Sequence, residues 1–352
     1  MMKLYFLCHE RWKDNHAEPL LRSVNFLSNF DINLIPVFCP SNKGTPELLW
    51  PDCDDTERRS EIDELFDSLI FPDAVIVHHR CLSPKMLRSK IPLIILEHTD
   101  GTSLEISRNF INLDNVIGVI KGSVFTNYDF YNASLTEGMY HSNYMNLIGL
   151  PKSKVKQISS IFLSKIELGY SFGCFPSNKR FLNYQLDKSK DILVSFIGNI
   201  NYHRSKLVTA HRNLAFNKIK NLNGSYYSLG GMHQNEYDDI LLRSKFCLSP
   251  YGYGVCYRSF ESIYTECITI QPDSNFLKTW PNIFVENIGY LKCKSDFSDL
   301  DELCNISNTK YEELLIETKN LKQELINSYW KEEIIGNHLK NIIVNCISRI
   351  KN

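Results

Sequence analysis

The chain has 352 residues, 43% of them hydrophobic and 22% charged, with a formal net charge of −1. That is an ordinary globular composition, and the length exceeds one core, which rarely grows past about 250–300 residues, so two domains are expected. With almost no net charge, no global basic field draws the chain to nucleic acid, and no nucleic-acid partner is expected.

The N-terminal MMKLYFLCHERW has an apolar core of only five residues before it turns polar. It reads as a first strand, 3–8, and not as a secretion signal. His9, Glu10, Asp14 and His16 follow as a polar cluster without metal-ligand spacing. After a strand at 33–38 comes DCDD, whose Asp52 and Asp54 form a D-x-D. They precede the helical run TERRSEIDELF, where aspartates satisfy free backbone N–H groups, so they read as a helix start rather than a metal motif. Strands follow at 74–79, 92–98 and 115–120. ILEHTDG sets Glu97, His98 and Asp100 at the end of one, and Lys121 follows another. Residues 150–185, of mixed polarity, carry the connection. The rhythm then restarts with strands at 192–198, 225–230, 245–250, 267–272 and 282–286. Many of these runs are apolar throughout, which fits parallel strands buried on both faces. The last segment, 329–350, repeats Trp330, Ile334, Leu339, Ile342, Ile343, Ile347 and Ile350 at helical spacing, and such a helix must dock on something.

Eleven cysteines occur at irregular spacing with no C-x-x-C pair, which argues against a zinc ribbon or redox dithiol and suits a reducing cytoplasm. The P-loop, G-x-G-x-x-G after the first strand and H-E-x-x-H are absent. No apolar run approaches the roughly 18 residues of a membrane span. Three N-x-S/T triplets, at Asn132, Asn223 and Asn305, read as chance.

The stretch SPYGYGVCYRSFE, 249–261, lies between strand 245–250 and a helix read from Tyr257 to Glu266. It is a βα junction at the carboxyl end of a parallel strand, the edge where open α/β sheets bind ligands. Gly252 and Gly254 would let backbone approach a ligand. Arg258, Glu261 and Thr265 fall on one face of the helix, with Phe260, Ile263 and Tyr264 toward the other. Arg258 suits a diphosphate and Glu261 the hydroxyls of a ribose, with a tyrosine to stack on a base or sugar. A surface Arg–Glu pair reads the same residues equally well.

The combination SKFCLSPYGYG, YRSFESI and CITIQP resembles the nucleotide-sugar half of exostosin-like glycosyltransferases, and SFIGN with Arg204 resembles that family's F-x-G-…-R. The likeness covers roughly residues 190–290. It implies an α/β fold of the GT-B type: two Rossmann-like domains with parallel sheets facing a central cleft. The corresponding division is 1–165 for an acceptor domain, 166–189 for a linker, 190–328 for a nucleotide-sugar domain and 329–352 for a C-terminal helix docking on the first domain. Donor-binding residues by this resemblance are Arg204, Tyr253, Gly254, Tyr257, Arg258, Ser259 and Glu261. Glu266 departs from the pattern, standing where a small residue or Gly usually precedes the Cys. Retaining GT-B enzymes often carry two glutamates eight positions apart. Glu261 has Tyr253 at that spacing, which favours inversion.

An inverting transfer needs a base on the first domain, for which Asp100, Glu97 and Glu10 are the candidates, with His9, His98 and Lys121 as further acceptor-side groups. No metal or other cofactor is expected. The partners are a nucleotide-sugar donor and a glycan or glycolipid acceptor, in a cytoplasmic enzyme of bacterial surface polysaccharide synthesis (O-antigen, capsule or lipopolysaccharide), with association at the inner membrane face left open. A GT-B sugar-nucleotide epimerase and a non-catalytic nucleotide-sugar or glycan-binding protein are the alternatives.

Overall fold

The computed structural model describes residues 1–10, 16–39, 56–98, 101–133, 154–171, 180–182, 188–202, 205–252 and 255–350. Asp14, Asp52, Asp54, Asp100, Arg204, Tyr253 and Gly254 lie outside them.

The first half contains β1 (Met2–His9), β2 (Ile32–Cys39), β3 (Ala74–His78), β4 (Leu93–Glu97), β5 (Val116–Lys121), β6 (Ser123–Phe125) and β7 (Ile166–Leu168), with helices α1 (Glu18–Arg22), α2 (Val24–Ser28), α3 (Thr56–Asp67), α4 (Pro84–Arg88) and α5 (Ser160–Leu163). Six of these strands form one sheet in the order β2-β1-β3-β4-β5-β7, and every pairing is parallel. AVIVH, LIILE and VIGVIK are buried at every position. Such strands are covered on both faces, which is why they read as unbroken apolar runs.

The second half contains β8 (Ile192–Ile197), β9 (Ser225–Ser228), β10 (Ser244–Leu248), β11 (Ile268–Pro272), β12 (Leu277–Thr279) and β13 (Leu291–Cys293), with α6 (Lys206–Ile219), α7 (Gln234–Arg243), α8 (Tyr257–Tyr264), α9 (Leu300–Cys304), α10 (Asn308–Glu324) and α11 (Glu332–Ser348). Its sheet runs β13-β11-β10-β8-β9, again all parallel. Two open parallel α/β sheets in one chain are the GT-B plan.

Three sequence readings change. Asn282–Glu286, read as a strand, is not one. Gly289 returns so close to it that an added Cβ would lie 1.8 Å from the Ile283 carbonyl oxygen, and the sheet's last strand is β13. Residues 166–168, placed in the linker, pair with β5 as β7. The C-terminal helix buries Ile335, Gly336, Leu339, Ile342, Ile343 and Cys346, while Ile334 and Ile350 are exposed.

Two features join the halves. β6 and β12 pair as an antiparallel ribbon. Each follows within a few residues the carboxyl end of a sheet strand, β5 or β11, so the ribbon ties the two carboxyl edges together. α11 packs on α1, α2 and β5. Its His338 ring bonds the Leu168 carbonyl at 2.8 Å and stacks on Trp280 at 3.9 Å.

Candidate functional site

Each sheet reverses its winding once. β9 lies on one side of β8 and β10 on the other, so the carboxyl ends of β8 and β10 flank a topological switch point, the usual ligand position in open α/β sheets. The chain leaving β10 passes through Ser249–Gly252 and enters α8. The second residue of that helix is Arg258, and its Nη2 donates back to the Ile197 carbonyl at the end of β8. Its guanidinium also lies 5.8 Å from the Phe196 ring centre. Gly198 leaves it room, since a Cβ there would sit 3.1 Å from Nη2. Burial works against the charge. The surrounding Tyr237, Cys247, Cys256 and Glu261 outweigh it and hold the Arg258 pKa above its ordinary value. Nε is buried with no hydrogen-bond partner among the described residues.

A second cation, not singled out from the sequence, stands nearby. Arg212 of α6 donates to the Asn199 carbonyl at 2.7 Å, with its guanidinium 5.3 Å from the Tyr202 ring centre. Burial, and the charge of Arg258 with it, pull the Arg212 pKa down. Two guanidiniums that oppose each other at a switch point suit an anion.

The other donor-side expectations divide. Glu261 is not open to solvent on its helix face. One oxygen takes Arg180 at 2.7 Å and the other the Tyr237 hydroxyl at 2.6 Å. Arg180 also holds buried Asp238 at 2.9 Å, so Glu261 clamps α8 to α7. A ribose hydroxyl would have to share an oxygen already in use. Ser259 is a correction: it is buried, and its hydroxyl donates to Gln271 at 3.2 Å inside the fold. Thr265 is another, a buried C-cap whose hydroxyl returns to the Glu261 carbonyl at 3.0 Å. Phe260, Ile263 and Tyr264 are buried as read, in the same continuous core as the first sheet. Tyr257 is exposed, while Tyr251 is buried and tied by its hydroxyl to the Asp273 carbonyl at 2.9 Å.

No family model matches the chain. Over 98 residues, 27% of this chain and 20% of the other, it is 37% identical to a probable glycosyltransferase of Arabidopsis thaliana. Part of the chain is glycosyltransferase-like. It thus spans about a fifth of the length of that relative. Among solved structures, an alpha-glucosyltransferase bound to UDP and DNA superposes with TM-score 0.49 at 12% identity, over 97% of this chain and 99% of that one. A glycosyltransferase of Rickettsia africae gives 0.48 at 10%, over 100% and 99%. Anabaena HepE with UDP and glucose gives 0.47 at 10%, over 98% and 100%. At such distances the likeness says nothing of substrate.

The first sheet also has a switch point, between β1 and β3, and histidines crowd it. His9 ends β1, His78 ends β3, and His79 follows. All three are buried, as are His16 and His98. His16 Nδ1 lies 3.0 Å from His78 Nε2, and the His16 and His98 ring centres are 5.1 Å apart. Burial, helped by the charge of Arg80, lowers His16 to about 3. Burial likewise takes His79 to about 3 and His78 and His98 well below the usual imidazole range.

Glu97 and Lys121, chosen as a base and an acceptor-side cation, occupy each other. They are register partners on β4 and β5, both buried, with Nζ 3.1 Å from Oε1. Lys121 also donates to the Ser103 carbonyl at 2.8 Å, and Glu97 accepts the Glu105 and Ser107 amides at 2.8 Å each. Burial alone would raise the Glu97 pKa, but Lys121 and these donors more than reverse it and hold it at about 2. A carboxylate so stabilised is a poor proton acceptor, so this pair fixes the 101–107 loop. Glu10, just past β1, is exposed at the switch point. Among the described residues no group of three or more His, Cys, Asp or Glu side chains is arranged to hold a metal ion.

Proposed function

We propose that the chain is a glycosyltransferase that binds a nucleotide-diphosphate sugar at the β8–β10 switch point and passes the sugar to a glycan acceptor at the carboxyl edge of the first sheet. Arg258 carries this reading. Its charge is anchored to the end of β8 by one nitrogen, while another donor is buried without a partner among the described residues, which suits an incoming oxyanion. Arg212 adds a second positive group. Two guanidiniums supply the charge a leaving nucleoside diphosphate needs, which supports a transfer without a required divalent cation. Tyr253 at the position of the first glutamate supports inversion. Glu10 has the exposure and place that a base for the acceptor hydroxyl requires.

Isothermal titration with a panel of uridine, guanosine, adenosine and cytidine sugar nucleotides tests the reading. At least one binds the parent protein, and nucleotide is released only when an acceptor glycan is supplied. A panel in which none binds sinks the donor site. Release without acceptor assigns the site to hydrolysis instead, and conversion of one sugar nucleotide into its epimer with no nucleotide released assigns it to epimerisation.

A further inference from the structure

The buried face of α6 is Leu207, Val208, His211, Ala215 and Ile219. One histidine in an apolar stripe needs partners, because a buried polar ring without them is costly. His211 has them on both nitrogens. Nδ1 accepts the Tyr251 amide at 2.9 Å, and Nε2 lies 3.0 Å from the Ser295 carbonyl. Since Nδ1 is an acceptor, the proton of the neutral ring is on Nε2 and is donated to Ser295. The ring is sandwiched between Tyr251, 4.8 Å away, and Phe297, 4.7 Å away. The next residue, Arg212, holds the loop leaving β8. Consecutive residues of α6 thus grip the two loops that leave the switch-point strands.

We propose that His211 is a positioning residue: its unprotonated Nδ1 latches the Tyr251 amide and so sets the 249–252 loop that delivers Arg258. The inference rests on the donor-site reading above.

The test uses two variants of the full chain. His211→Phe keeps a ring between Tyr251 and Phe297 and removes both hydrogen bonds. His211→Asn restores an acceptor toward the Tyr251 amide. In His211→Phe, Tyr251 amide exchange speeds up and affinity for a sugar nucleotide that binds the parent falls, each by about five- to tenfold, the worth of one such bond. His211→Asn recovers most of both. Unchanged exchange at Tyr251 in both variants overturns the latch. Faster exchange with parental affinity overturns its link to the donor site. If no sugar nucleotide binds the parent, the donor reading fails, and the exchange arm alone still judges the latch.

Discussion

Arg258 combines an anchored nitrogen with a buried donor that has no partner among the described residues, and leaving such a donor unmet costs about 1–3 kcal/mol. Removing it should therefore separate binding from folding. Arg258→Ala is expected to weaken sugar-nucleotide binding by about 10- to 100-fold, the worth of one or two charge-assisted bonds, with an unchanged or slightly higher melting temperature. Arg258→Lys should not restore binding, because an ammonium cannot hold the Ile197 carbonyl and an oxyanion with a planar fork. Parental titration curves for either variant would refute the assignment. Glu266 offers a second residue-scale test. Its φ is +54°, which a side chain adopts at a cost of about 1–2 kcal/mol and glycine adopts freely. Here Lys322 at 2.9 Å and Lys319 at 3.7 Å hold the carboxylate. Glu266→Ala keeps the strain and loses the pairs, so it should unfold at lower urea than Glu266→Gly, and the reverse order would refute this account.

Among the elements, helix α11 is fitted to the first half by two glycines. A Cβ on Gly336 would lie 2.3 Å from the Phe26 ring, and one on Gly118 would lie 2.3 Å from Cys346 Sγ. Gly336→Ala gains helix propensity of about 1 kcal/mol but overpacks a rigid ring, which costs typically 1–3 kcal/mol. The clash should prevail, lowering the urea midpoint relative to Gly230→Ala, where nothing lies within 4 Å. The sequence signal for elements was uneven for physical reasons. Strands buried on both faces, such as AVIVH, announce themselves. The three-residue strands β6, β7, β12 and β13 have too few positions to show any period. The βα junction that carries Arg258 was legible because it is a local pattern. Glu261 and Glu97 were not, because their partners Arg180, Tyr237 and Lys121 are remote in sequence and meet them only in the fold. His211 did leave a trace, a polar residue at a core position of an amphipathic helix, and Arg212 left none.

For the molecule as a whole, the buried histidines should govern behaviour in acid. The folded pKa of His16 and of His79 is about 3, against 6.5 for the unfolded side chain. Between those values the unfolded chain binds protons that the folded chain refuses, so stability falls as pH falls, by up to about 1.4 kcal/mol per pH unit per imidazole. Glu97, held at about 2 against 4.5, adds a loss only below about pH 4.5. Urea midpoints measured from pH 7 to 4 should drop throughout, and His16→Asn should flatten the upper part of the decline. A decline that begins only below pH 4.5 would assign the effect to Glu97 and remove it from the histidines.

The packing of α11 on α1, α2 and β5 also bears on how the chain is made. At about 5–20 residues per second, Glu332 leaves the ribosome on the order of ten seconds after Leu168. Throughout that interval the nascent first sheet lacks the helix that covers Gly118 and Phe26, and the second sheet must be synthesised in between. The first half is therefore the part that a holding chaperone would meet, although its strands are made earliest.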